Sequence, residues 1–415
     1  MGEFFSDEVE QALEYIHYDL CSGQGQEGFR LLEQAVEAGD GDACCLLARC
    51  LYGTGYVWGG HEFPEDGERA DQLMRQSVQR GSALGTLAFL RCRIAQEPLE
   101  EFMPFDSLQQ AFDIVLDKAQ RGEPFCQMQI GSAYFWGDFL RIQKKSREDF
   151  SSQAAFDTYM RTNIAQCEDW YWRAFQNGFS ESGINLYFFY ENGVKDYIAP
   201  QPERAQEVVR FGAEHDYPIY EYSYGYDLLK AGRNVEGFRW MKRAYNHGEP
   251  KASFYVGYCY ELARGVDRDF SLAAQYYEEG LKVPEDRASC CNHLGAMYYD
   301  GRGVPQNYDM AYQLLKWADD HGAGDWAPYY LGACYAYGRG TPKDYALARK
   351  YLEAAVKGND PDAFYLLGKL YAQGLGGPAD IAKGVEYLQK AGNLPEAKEE
   401  LSHYKKNLFG KWVRR

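Results

Sequence analysis

The sequence predicts an all-α protein, an α/α superhelical solenoid of about ten helical hairpins with terminal capping helices. Three observations carry this. The passage Cys291-Asn-His-Leu294-Gly295-Ala-Met-Tyr298-Tyr-Asp-Gly301-Arg-Gly303 recurs as Tyr329-Tyr-Leu331-Gly332-Ala-Cys-Tyr335-Ala-Tyr-Gly338-Arg-Gly340, and again as Tyr365-Leu-Leu367-Gly368-Lys-Leu-Tyr371-Ala-Gln-Gly374-Leu-Gly376. Its anchoring glycines, Gly295, Gly332 and Gly368, stand 37 and 36 residues apart, the period of a repeat architecture. Between these passages, small and apolar residues return at helical spacing.

Each unit reads as two helices. In the first, Leu331, Gly332 and Tyr335 share a face, and the glycine admits a neighbouring helix closer than a side chain would. The Gly-x-Gly that follows ends the helix, because glycine tolerates positive φ at a C-terminal cap. Asp344 opens the second helix, where Ala348, Tyr351, Leu352 and Ala355 recur at helical spacing; Gly384, Tyr387, Leu388 and Ala391 match them one unit later. A hairpin this short cannot bury its apolar face alone, so neighbours must stack. The pattern resembles the Sel-1-like repeat, a branch of the tetratricopeptide superfamily. Gly332, Tyr335, Gly338, Gly340, Asp344, Ala348, Tyr351, Leu352 and Ala355 carry the match most fully. The resemblance implies a protein-interaction scaffold and no chemistry.

In chain order, residues 1–40 read as an acidic capping pair, with nine Asp/Glu against the single Arg30 in residues 1–39. Met1-Gly2-Glu3-Phe4-Phe5-Ser6 fits the loose myristoylation pattern, but Ser6 or Asp7 serves as well as a helix N-cap. Residues 41–216 hold irregular repeats with inserted loops, and residues 217–393 the regular ones. The span from the helix-packing residue to the second helix is 16 in all four C-terminal units, for example Gly332 to Ala348. It reaches 22 (Ala48 to Ala70), 23 (Ala88 to Ala111) and 34 (Gly131 to Ala165) earlier in the chain. Stacked units put equivalent loops on one edge, so these insertions should gather there. The first, around Tyr56, Trp58, His61 and Phe63, exposes aromatics; the largest, 138–163, reads as an extra helix padding the array or as a contact loop, and the edge that carries these insertions is the second candidate for binding. Residues 394–415 read as a basic capping helix in which Leu401, Tyr404 and Leu408 share a face. Its Lys405, Lys406, Lys411, Arg414 and Arg415 meet no acid.

Asp+Glu number 61 against Lys+Arg 44, a formal charge of −17. That argues against nonspecific binding to nucleic acid or to an anionic membrane. No run approaches the ~18 apolar residues of a membrane span, and no signal peptide opens the chain, so the expected location is cytoplasmic. Eleven cysteines raise the question of metal or disulfide. Cys50, Cys259 and Cys334 share one repeat position with Met297 and Leu370, which marks a buried apolar slot, and the adjacent pairs Cys44-Cys45 and Cys290-Cys291 lack zinc-ligand spacing. His17 stands four residues before Cys21, but two ligands make no structural zinc site. No metal or cofactor is expected. His247 and His321 end second helices where Arg80, Arg121 and Lys357 stand in other units, as helix dipoles favour. No phosphate loop, His-Glu-x2-His pair or nucleophile elbow occurs.

Tyrosine is the anomaly, 35 of 415 residues. Tyr134, Tyr260, Tyr298, Tyr335 and Tyr371 belong to the repeat and are expected in the core. With the packing residue as zero, positions −5, −1, +2 and +3 face inward and −3, +1 and +4 face the other way. By the family resemblance, that second face lines the concave surface. It carries the candidate partner-binding residues Tyr222, Tyr226, Phe254, Tyr258, Glu261, Asn292, Tyr299, Tyr329, Tyr365 and Lys369. Tyrosine gives large contact area at low entropic cost, so the expected function is a non-catalytic scaffold holding a protein segment. Glu261 and the overall charge favour basic residues on that partner. An immunity-type protein sequestering a basic toxin is the alternative within the binding class. A hydrolase acting on a peptidoglycan-like ligand is the alternative outside it.

Overall fold

The computed structural model describes residues 3–18, 23–53, 63–322 and 326–415. Both Met1-Gly2 and the stretch from Tyr56 to His61 lie outside them. The chain divides into two compact units, residues 1–221 and 222–415. The first holds α1 (Asp7–Leu13), prolonged by a π-helical turn over Glu14–Tyr18, then α2 (Gly25–Glu37), α3 (Gly41–Leu51), α4 (Gly67–Gln79), α5 (Ala83–Phe89), α6 (Leu108–Gln120), α7 (Pro124–Trp136), α8 (Asp138–Ile142), α9 (Gln153–Gln176), α10 (Ser180–Asn192) and α11 (Pro202–Glu214). It ends within α12 (Pro218–Lys230). The second continues with α13 (Asn234–Asn246), α14 (Ala252–Leu262), α15 (Phe270–Gly280), α16 (Arg287–Asp300), α17 (Tyr308–Asp320), α18 (Ala327–Tyr337), α19 (Tyr345–Ala355), α20 (Pro361–Gln373), α21 (Ile381–Lys390) and α22 (Pro395–Ser402). The helices pair in sequence, α7 with α9 across the short α8, which makes ten hairpins among the described residues.

The repeat loop is built the same way in successive units. A Cβ on Gly332 would lie 2.7 Å from Leu352 Cγ, and one on Gly295 equally close to Leu315, so glycine sets how closely the two helices approach. Gly338 ends α18 in the left-handed region, φ +71°. The Asp344 backbone N–H then donates to the Tyr335 carbonyl at 3.0 Å, while its carboxylate accepts from Ala346 and Leu347 N–H at the start of α19. Asn307 and Asp380 repeat the backbone bond to Tyr298 and Tyr371 at 2.9 Å. The second glycine of each Gly-x-Gly has a role that helix termination does not explain. A Cβ on Gly340 would overlap the Tyr308 carbonyl at the start of α17, and Gly303 and Gly376 sit the same way on Phe270 and Tyr345. Each therefore presses its loop onto the second helix of the preceding unit. In the α14 unit, Ala263 takes the position of Gly338 with φ +55°, a conformation that Cβ sterics disfavour.

Cys50, Cys259, Cys334, Met297 and Leu370 all fill the shared slot, each at most 2% exposed. The ten described cysteines are free and buried, and burial pushes the Cys45 and Cys259 thiols up to about 12. Cys21 lies outside the described residues. His17 is instead enclosed between Phe125 and Phe179, with Nδ1 3.3 Å from Glu181 Oε2. The inserted segments after α5 and α7 do meet: Arg91 pairs with Asp138 at 3.1 Å, and Arg141 reaches Glu100 at 3.5 Å. The 138–163 insertion packs on itself through Phe150, Phe156 and Tyr159.

Three expectations need correction. The N-terminal pair does more than cap one end, because Tyr18 donates to Glu123 at 2.6 Å and His17 reaches Glu181 on α10. The repeat tyrosines are core only in part. Tyr335 is buried, but Tyr134, Tyr260, Tyr298 and Tyr371 are half-buried; Tyr260 and Tyr371 lie against the second-helix tyrosines Tyr276 and Tyr387. The basic capping helix stops at Ser402. A two-stranded antiparallel hairpin follows, β1 (Tyr404–Lys406) and β2 (Trp412–Arg414), in which Tyr404 faces the core and Leu408 does not.

Two substitutions test the loop. Ala263→Gly should stabilise the protein by about 0.5–1 kcal/mol through relief of the positive φ. Gly340→Ala should destabilise it by about 2 kcal/mol or more. Urea unfolding followed by circular dichroism should show the two midpoints moving in opposite directions.

Candidate functional site

Three successive first helices of the second unit, α12, α14 and α16, enclose a cleft of about 420 Å3. Its walls are aromatic: Tyr226 from α12, then Phe254, Tyr255 and Tyr258 from α14. Phe254 and Tyr258 lie one turn apart and stack with ring centroids 6.1 Å apart. Two cations sit over these rings, Lys230 Nζ 5.2 Å from the Tyr226 centroid and the Arg264 guanidinium 4.9 Å from that of Tyr258. Such stacking leaves cations close to an apolar wall, where they attract anionic groups strongly. α16 supplies Ser289, Asn292 and His293. Asn292 is 4% exposed, and its Oδ1 has no hydrogen-bond partner among the described residues.

Beneath the cleft lies a buried polar cluster. His293 Nδ1 and the Tyr277 hydroxyl each stand 2.7 Å from Glu261 Oε2, and the Arg302 guanidinium is 3.9 Å from Oε1. Burial alone would raise the Glu261 carboxyl. The hydrogen bond and charge of His293, with Tyr277 and Arg302, outweigh it and hold the carboxyl below its ordinary value. An ionised carboxylate only accepts, so Nδ1 carries the imidazole proton. Rings of Phe254, Tyr258, Tyr277 and Trp326 surround His293.

Of the ten candidate residues, Tyr226, Phe254, Tyr258 and Asn292 line this one cleft, and Tyr222 stacks behind Tyr226 at 6.5 Å. Tyr299, Tyr329, Tyr365 and Lys369 lie elsewhere. Tyr299 is buried and accepts from Arg339 at 2.6 Å, Tyr329 packs edge-on to Tyr330, and Lys369 sits 6.0 Å over the half-buried Tyr365. Glu261 is corrected: at 1% exposure it offers nothing to a basic partner. The reason is general, because position +4 is buried in every unit of this half, at Leu229, Glu261, Tyr299, Ala336 and Ala372. The −2 residues Tyr255 and His293 line the cleft but escaped the two-face division, since −2 falls at its border. Recurrence of rings at that position, as Tyr255, His293 and Tyr330, is the signal that would have found them.

The cluster links stability to pH. A depressed carboxyl contributes stability above its unfolded value near 4.5 and loses it as pH falls through the folded value. Glu261→Gln should therefore cost about 2–3 kcal/mol at neutral pH. In urea titrations at a series of pH values, its gap from the wild type should narrow only below pH 4.5.

The Sel1 repeat model matches residues 21–40, 220–249, 250–282, 288–318, 327–360 and 361–395. Over 53 residues, 13% of this chain, the sequence is 43% identical to the chitin synthase regulator SKT5 of Saccharomyces cerevisiae, of which the match spans 8%. Among solved structures, a Sel1 repeat protein from Oxalobacter formigenes is 18% identical, with 97% of this chain and 96% of that one covered and a TM-score of 0.42. A protective antigen of uropathogenic Escherichia coli with an SLR fold is 16% identical, with 90% and 89% covered and a TM-score of 0.45. The chain thus carries six matched Sel1 repeats, five of them consecutive over residues 220–395, the stretch in which the Gly-x-Gly loop recurs.

Proposed function

We propose that the chain is a non-catalytic scaffold whose second unit holds a segment of a protein partner in the α12–α14–α16 cleft. Sel1-repeat proteins are generally protein-interaction scaffolds, and the cleft chemistry extends that to a site. The observation that carries the reading is the meeting of three unlike groups in one cleft: aromatic walls, the cations Lys230 and Arg264, and an Asn292 Oδ1 without a partner among the described residues. Aromatic walls favour an apolar or aromatic side chain. The cations favour a carboxylate, so the expected segment is acidic, since Glu261 is withdrawn beneath. Asn292 Oδ1 asks for a donor, which a backbone N–H of the segment supplies.

A hydrolytic reading has one observation in its favour, because Ser289 and His293 share the cleft and Glu261 holds His293 from behind. Against it, no hydrogen bond joins Ser289 to His293 among the described residues, so the base does not engage the hydroxyl.

Affinity capture followed by quantitative binding separates the readings. A partner captured by the wild type should bind Tyr226→Ala/Tyr258→Ala at least about tenfold more weakly, the loss of two buried aromatic contacts, and Ser289→Ala unchanged. Undiminished binding by the tyrosine variant would remove the cleft as the site. Fluorophosphonate labelling lost in Ser289→Ala would establish the hydrolytic reading instead.

A further inference from the structure

The hairpin that follows α22 carries two large apolar side chains in full solvent. Leu408 is 101% exposed and Phe409 86%, the highest exposures of any large hydrophobic residues described. Their display is organised. The Asn407 side chain accepts from Phe409 N–H at 2.9 Å and Lys411 N–H at 3.0 Å, the Asn407 N–H donates to the Lys411 carbonyl at 2.8 Å, and Gly410 turns the chain at φ +75°. The base of the hairpin is fixed as firmly. Tyr404 is buried and donates to Glu400 at 3.0 Å, Trp412 packs against the cluster of Val385, Leu388 and Tyr404, and Arg415 N–H donates to the His403 carbonyl at 2.7 Å. A rigid stem thus holds an apolar tip away from the body of the unit.

Along the hairpin, from Arg414 and Arg415 at its base to Lys405, Lys406 and Lys411 nearer the turn, stand five exposed cations, with no acidic residue between positions 402 and 415. None of the five is in an ion pair among the described residues. In a chain of formal charge −17, this local reversal of sign is not what solubility requires.

We propose that the hairpin docks on an anionic lipid surface, with Leu408 and Phe409 entering the acyl boundary and the lysines meeting headgroups. Charge complementarity selects a negatively charged partner. Shape selects lipid, because a two-residue convex tip cannot bury the roughly 800 Å2 per side of a stable protein interface but suits insertion between headgroups, as apolar groups flanked by cations do in interfacial anchors. The site is independent of the cleft, so either can fail without the other. It also revises the expectation of no membrane contact, which rested on overall charge.

The test is co-sedimentation of the full chain with phosphatidylcholine vesicles, with and without phosphatidylserine, alongside sedimentation velocity without vesicles. The wild type should bind the phosphatidylserine vesicles, bind pure phosphatidylcholine at least about tenfold more weakly, and lose binding as salt rises. Leu408→Asp/Phe409→Asp should weaken binding at least about tenfold, and Lys405→Glu/Lys411→Glu likewise, with melting temperatures unchanged because all four side chains are exposed. Equal binding to neutral vesicles, undiminished binding by the Leu408/Phe409 variant, or no binding by the wild type each overturns the proposal. Self-association lost in that variant, without vesicle binding, would assign the tip to a second copy and also overturn it.

Discussion

The regular half of this chain depends on one steric constraint, the contact of the second loop glycine with the backbone of the unit before it. Gly340 lies on the first residue of α17 so closely that no Cβ fits, and Gly303 and Gly376 do the same at their own boundaries. A contact made by backbone alone has no rotamer to relax into, so it sets the spacing and register between units more tightly than side-chain packing would. Within each unit, the helix glycine against a leucine sets the other distance, and the Asp or Asn that caps the second helix ties the loop to the tyrosine carbonyl. Three short-range devices, repeated, are enough to stack hairpins that could not stand alone.

The cleft is a consequence of that stacking. Fixed spacing brings the +1 and −3 residues of α12, α14 and α16 together, and the same closeness buries +4. A buried +4 side chain is ordinarily small or apolar, as Ala336 and Ala372 are. Glu261 is the exception, and it is tolerated because His293, Tyr277 and Arg302 surround it. Such a cluster is costly to break and holds His293 in one orientation beside Asn292. The cleft floor is therefore polar and fixed, while its rim is aromatic and cationic. That combination suits recognition of an extended segment, since it orders both side-chain and backbone contacts before the partner arrives.

Much of this was legible in the sequence, for physical reasons that can be named. Helix-packing glycines, cap aspartates and the Cys/Met/Leu slot each answer to one local rule, and Gly332, Asp344 and Cys334 obey it. Helical geometry put Tyr226, Phe254, Tyr258 and Asn292 on one face, and the family resemblance marked that face as the concave one. The failures arose where two rules competed. Leu401, Tyr404 and Leu408 fit a helical face, but the Asn407 side chain and Gly410 impose a turn that overrides the spacing. Glu261 satisfied the outward period, yet closeness between units buried it, and no single-helix projection contains that term. Lys230 and Arg264 lie just past the helix positions considered, which is why the cleft proved cationic where an acidic groove was expected.

The central claim is that the α12–α14–α16 cleft receives a partner segment. Hydrogen exchange of the full chain, measured with and without the captured partner, tests it most directly, because it reports on every helix at once. The account predicts slowed exchange concentrated in residues 218–230, 252–262 and 287–300. Unchanged exchange there, with protection in the inserted segment 138–163 instead, would contradict it.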